Sequence, residues 1–158
     1  EFVKETGSKK ELLNQILYRI EYAKNFPEIG RRVTEFHYLL SHIPYIQNII
    51  TTNWDTFFED YTDALPIIHD KDFVFANYDS KRKVYKIHGS ISSPGSIIAT
   101  QEDYEECYRN LNCGILGSSL KLLLATKTII FVGFSFGDED LDKIFNFILK
   151  IIYIIIHL

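Results

Sequence analysis

Twice along this chain a short run of β-branched residues ends in a small polar turn and leads into apolar residues at helical spacing, a pattern that constrains the fold more than any other. The first passage takes in residues 45–51, then Thr52, Asn53 and Asp55, then Phe57, Phe58 and Tyr61. The second takes in residues 128–132, closes at Gly133, and passes Asp138, Glu139 and Asp140 into a helix through Ile144, Phe145 and Ile148. β-Branched runs bounded by polar residues or glycine read as buried strands, and carboxylates at a helix start complement its positive dipole end. Strand, turn and helix in alternation predict an α/β fold with a largely parallel sheet flanked by helices, whose ligands sit beyond the carboxyl ends of the strands.

The rest of the chain fits between these passages. Leu13, Ile16, Leu17, Ile20 and Ala23 share one face of a helix over 9–25, and Pro27 and Gly30 then punctuate it. A second helix is expected over 33–42, a strand region over 66–75, and an alternating strand over 83–88 ahead of Gly89. Residues 96–100 either pair with that strand or form a loop. Residues 102–108 and 116–125 read as helices. The basic group Lys81, Arg82, Lys83 and Lys86 reads as the solvated side of a hairpin.

Composition narrows the function classes. The chain has 158 residues, 46% of them hydrophobic, which is enough for one domain to bury roughly 70% of its unfolded surface. Its 17 basic and 21 acidic residues sum to a net charge of −4, so no global field attracts nucleic acid or anionic lipid. Cys107 and Cys113 are the only cysteines; no zinc ribbon or disulfide framework is expected, and a reducing, cytoplasmic setting fits. The apolar stretch 148–158 falls well short of the ~20 residues that cross a bilayer. Methionine is absent and Glu1 is not an initiator, so the chain is expected to be a piece truncated at both ends, its C-terminal apolar run being core cut from its partners.

Three constellations carry candidate chemistry. Thr51-Thr52-Asn53-Trp54-Asp55 puts an amide and a carboxylate between a buried strand and a helix, where helix capping is the bland alternative. Lys86-Ile87-His88-Gly89-Ser90 brings a histidine out at a sheet edge. His88 is either a satisfied structural histidine or a proton acceptor, with Gly89 letting a ligand approach the backbone. Gly133-Phe134-Ser135-Phe136-Gly137 matches the G-x-S-x-G nucleophile elbow, yet only His157 follows it, and the remaining residues cannot supply the acid and histidine strands of that fold. Otherwise Gly133 and Ser135 offer backbone N–H groups and a hydroxyl to a phosphate or ribose.

Together and in this order, the Thr-Thr-Asn-Trp-Asp, Lys-Ile-His-Gly-Ser and Phe-Val-Gly-Phe-Ser-Phe-Gly-Asp segments, with residues 94–104, resemble the sirtuin-like family in its bacterial branch of NAD-hydrolysing defence proteins. The resemblance covers about residues 49–147. It implies a single Rossmann-like NAD-binding domain over 1–158. Asn53 and His88 match the family's catalytic asparagine and histidine. NAD binding falls by the same resemblance to Thr52, Asp55, Gly89, Gly133, Ser135 and Asp138, with no metal.

Two departures from the family pattern matter. The glycine-rich phosphate loop, which in the family precedes a helix resembling residues 9–25, has no counterpart, so weak NAD binding by the chain as given is expected. The four-cysteine zinc module of deacylating sirtuins is also missing, which favours water over an acyl oxygen as nucleophile. The resemblance therefore implies an NAD+ glycohydrolase with NAD+ as substrate and no zinc. A non-catalytic NAD or ADP-ribose sensor and a protein deacylase are the alternatives. Homo-oligomerisation within a larger chain and a phage protein or partner-subunit trigger are further implications, without direct nucleic-acid or membrane binding.

Overall fold

A computed structural model of the chain describes residues 8–76 and 81–133. Helix α1, Lys9–Asn25, starts where the Ser8 hydroxyl accepts a hydrogen bond from the Glu11 N–H. Helix α2, Pro27–Ser41, follows after one residue. Pro27 thus opens a helix, at the position where its missing N–H costs nothing, and Gly30 lies inside it. A Cβ on Gly30 would stand 2.9 Å from the Ala23 carbonyl oxygen, so this glycine lets two helices approach closely.

Strand β1, Asn48–Thr51, leads to the short helix α3, Phe57–Thr62. Strand β2 is Leu65–Ile67, and a 3-10 turn at Asp70–Asp72 runs into the single helical turn α4, Phe73–Ala76. The expected strand region over 66–75 therefore ends early, because the Asp72 carboxylate accepts from the N–H groups of Ile68 and His69 and turns the chain. Strand β3, Lys83–Lys86, completes the sheet. Helix α5, Gln101–Cys113, has a reciprocal cap between Thr100 and Asp103. Helix α6, Ile115–Thr126, has its first N–H groups capped by the Asp70 carboxylate, at 3.0 Å from Ile115 and 2.9 Å from Leu116.

The sheet has the order β1-β3-β2 with both pairings parallel. Parallel neighbours need crossovers, and helices supply them. Successive residues of β3 face opposite sides. Val84 packs with Ile49, Phe58 and Ala64 beside α2 and α3, whereas Tyr85 packs with Ile67, Ala76, Cys107 and Leu120 beneath α4, α5 and α6. Helices thus cover both faces of a parallel sheet, as the alternation predicted.

Three expectations are corrected. Residues 83–88 do not form a hairpin with 96–100; β3 is the central strand, and residues 96–100 contribute a turn and a loop whose Ile98 N–H donates to the His88 carbonyl. The basic group is solvated only in part, since Lys81 is exposed but Lys86 is buried. Lys81 pairs with Asp63, Arg82 donates to the Ile43 carbonyl, and Lys86 is 1% exposed. Residues 128–132 are irregular rather than a strand, with Ile130 74% exposed. β-Branched propensity becomes a strand only where a neighbour offers a ladder, and among the described residues the sheet contains β1, β3 and β2 alone.

Candidate functional site

The register of β1 on β3 pairs Thr51 with Lys86, so the two strands finish level and their following loops leave from the same end of the sheet. The ladder continues one step further, with the Ile87 N–H donating to the Thr51 carbonyl at 3.0 Å. Four residues on, the Ile91 N–H donates to the Trp54 carbonyl at 2.8 Å. The loop carrying Asn53 and the turn carrying His88 are therefore tied to each other by main-chain bonds on both sides of His88. Carboxyl ends of adjacent parallel strands are where open α/β sheets place their ligands.

Within the first loop, the Thr51 hydroxyl accepts from the Asn53 N–H at 3.1 Å, leaving the Asn53 side chain exposed. Thr52 is half-buried. The Asp55 carboxylate accepts from the Phe57 N–H at 3.0 Å, an Asx-type turn that leads into α3 one residue ahead of its N-cap Thr56. The Trp54 indole nitrogen is buried with no hydrogen-bond partner among the described residues.

His88 leaves β3 buried, 7% exposed, and emerges from the centre of the described sheet, not from its edge. Its ring stands edge-on to Tyr104 of α5 with centroids 5.2 Å apart. Gly89 takes φ +85°, and a Cβ there would stand 2.5 Å from the Ser96 carbonyl carbon and 2.7 Å from its hydroxyl. The space freed by this glycine is filled by the chain's own Ser96. A serine network completes the turn: the Ser90 N–H donates to the Ser96 hydroxyl at 3.0 Å, and the Ser90 and Ser92 hydroxyls are 2.9 Å apart.

Of the third constellation only Gly133 is among the described residues, with φ +63°. Ser135, Asp138 and the expected helix through Ile148 lie outside them. Among the described residues no group of three or more His, Cys, Asp or Glu is arranged to hold a metal ion, and Cys107 and Cys113 are not in a disulfide. No helix there is long and apolar enough to cross a membrane.

Beneath the Asn53 loop lies a charged group that the sequence pattern did not single out. The Lys86 ammonium donates to the Asp55 carbonyl and, at 3.1 Å, to the Glu59 carboxylate. His37 of α2 packs its ring against Phe57 and Phe58. Burial holds the His37 imidazole below its ordinary pKa, and the nearby Asp55 and Glu59 only partly offset this. The signal for Lys86 was the period-two pattern, since it shares a face with the buried Val84. A cavity of about 770 Å³ opens between α1, α2 and α3, lined by Lys24, Arg31, Tyr38, Asp60 and Tyr61 among others; neither Asn53 nor His88 lines it.

The SIR2-like domain family matches residues 47–152. A protein named NAD(+) hydrolase ThsA from Enterococcus faecium is 33% identical over 90% of this chain and 29% of its own length. Its namesake from Acinetobacter baumannii is 34% identical over 75% of the chain and 25% of its own length. Defense-associated sirtuin 2 from Bacillus subtilis is 27% identical over 66% of the chain and 11% of its own length. The chain spans less than a third of each of these relatives.

Proposed function

Because the chain belongs to the SIR2-like domain family, we propose that it hydrolyses NAD+ to nicotinamide and ADP-ribose. The observation that carries this reading is the cross-tied pair of loops, which sets an amide side chain and an imidazole on adjacent strand ends. The names of the relatives, NAD(+) hydrolases in two cases, support the same chemistry.

Cleaving the nicotinamide bond passes through an oxocarbenium-like state at the ribose carbon, while the positively charged pyridinium departs as a neutral amide. The protein's task is to hold the sugar and a water in line. Asn53, exposed at the loop crest, orients the ribose hydroxyls or the attacking water. His88 takes a proton from that water as general base, a contribution of about 10²- to 10⁴-fold. Thr52 and Asp55 line the nucleotide from the Asn53 loop, and Gly133, Ser135 and Asp138 contact its adenosine half. Zinc takes no part. In this reading the protein acts in antiphage defence in the cytoplasm, as a homo-oligomer within a larger chain, triggered by a phage protein or partner subunit.

Incubation with NAD+ and chromatographic detection of free nicotinamide tests the proposal. Asn53→Ala and His88→Ala are each expected to abolish release while melting cooperatively. Turnover near that of the unsubstituted protein in both variants rejects the enzyme reading. Binding of NAD+ with no release in the unsubstituted protein instead makes the pocket a sensor.

A further inference from the structure

We propose that Lys86 is a positioning residue: from the end of the central strand its ammonium clamps the underside of the loop that carries Asn53, holding that loop against the turn that carries His88. The inference rests on the functional reading of Asn53 and His88 given above. It starts from burial. Lys86 is the largest of the fully buried side chains in the described core, a place a lysine occupies only when its charge is met. Its partners belong to the stretch that follows β1 in the chain. One is the main-chain carbonyl of Asp55, two residues beyond Asn53; the other is the carboxylate of Glu59, in the first turn of α3.

The geometry distinguishes a clamp from a plain ion pair. A lysine needed only for charge balance would be satisfied by Glu59. The second bond, to a loop carbonyl, restrains backbone. Trp54, between Asn53 and Asp55, donates no indole hydrogen bond among the described residues, so its side chain does not supply the same restraint there through that group. On the other side, the Ile91 N–H holds the Trp54 carbonyl. Residues 54 and 55 are thus held through consecutive carbonyls, by a backbone donor that follows His88 and by a side chain that precedes it. Asn53 lies between that held segment and the end of β1, so a small shift of residue 55 would carry its amide away from the imidazole. Misplacements on this scale lower turnover far more than ground-state binding.

The test uses the full chain, in which Trp54 is the single tryptophan, so that its fluorescence reports the loop without any substrate. Lys86→Met is compared with Lys86→Met/Glu59→Leu, which leaves no stranded carboxylate. Expected are a rise of at least about twofold in acrylamide quenching of Trp54, a fall of at least about tenfold in kcat per folded molecule, and a KM for NAD+ within about threefold of the original. Quenching unchanged, or kcat per folded molecule within about threefold, overturns the proposal. So does failure of both variants to melt cooperatively, which would assign Lys86 to stability alone. If quenching rises but the unsubstituted protein releases no nicotinamide, the activity reading fails and the catalytic role of the clamp with it, a result separable from failure of the clamp.

Discussion

Gly89→Ala and Gly95→Ala make the same chemical change six residues apart, and the structure gives them opposite outcomes. Gly89 has φ +85°, a conformation that costs an alanine roughly 1–2 kcal/mol. The new Cβ would also stand 2.5 Å from the Ser96 carbonyl carbon, a backbone atom in the turn that the Ser90–Ser96 hydrogen bond closes. Forcing a methyl into an occupied site adds about 1–3 kcal/mol. Together the two effects destabilise by about 2–5 kcal/mol. Gly95 has open space within 4 Å of where a methyl would stand and no positive φ, so its alanine variant should stay within about 0.5 kcal/mol of the original. Urea denaturation followed by circular dichroism measures both, with an unchanged m-value confirming that stability alone has moved. A loss under about 1 kcal/mol for Gly89→Ala, or equal losses for the two variants, refutes the assignment of Gly89 to packing against Ser96.

Other outcomes follow from the same structure. His37 has its folded pKa below the unfolded value, so the unfolded chain takes up a proton that the folded one resists. Stability should therefore fall as pH drops from about 6.5 toward the folded value and level off below it. His37→Phe keeps the ring against Phe57 and Phe58 and should flatten this part of the profile; an unchanged slope in denaturation midpoints across those pH values would show that other groups titrate there. Thr100→Ala removes the hydroxyl that accepts the Asp103 N–H at 3.2 Å and should cost about 1 kcal/mol of stability by thermal unfolding. A change below the error of that measurement would mean that the Asp103 carboxylate, which accepts from the Ala99 and Thr100 N–H groups and from Lys9, holds the start of α5 without help from Thr100.

Much of the site was legible in the residues alone. Thr-Thr-Asn-Trp-Asp and Lys-Ile-His-Gly-Ser each follow a run with strand periodicity, which put Asn53 and His88 at strand ends. Level termination of those strands was not legible, because the pairing of Thr51 with Lys86 spans 35 positions and no local pattern encodes a register. The solvated reading of the basic group failed at Lys86 for a related reason. Charge is visible in a sequence, but whether a lysine finds a carboxylate beneath a loop depends on how α3 lands on β3.

What the amino-acid order determined by itself was local: the bounds of α1 from apolar spacing and the Ser8 cap, the helix start after Asp55, the turn at Gly89, and the motif order that marks the family. Those features depend on residues within a few positions of one another, where propensity and capping act. Only the tertiary structure decided that β3 lies between β1 and β2, that Asp70 caps a helix beginning at Ile115, that Ser96 fills the space beside Gly89, and that Lys86 is buried under the Asn53 loop. Each of these joins groups distant in the chain, and which of them meet is settled by how the helices cover the sheet and which polar atoms must be satisfied once water is excluded.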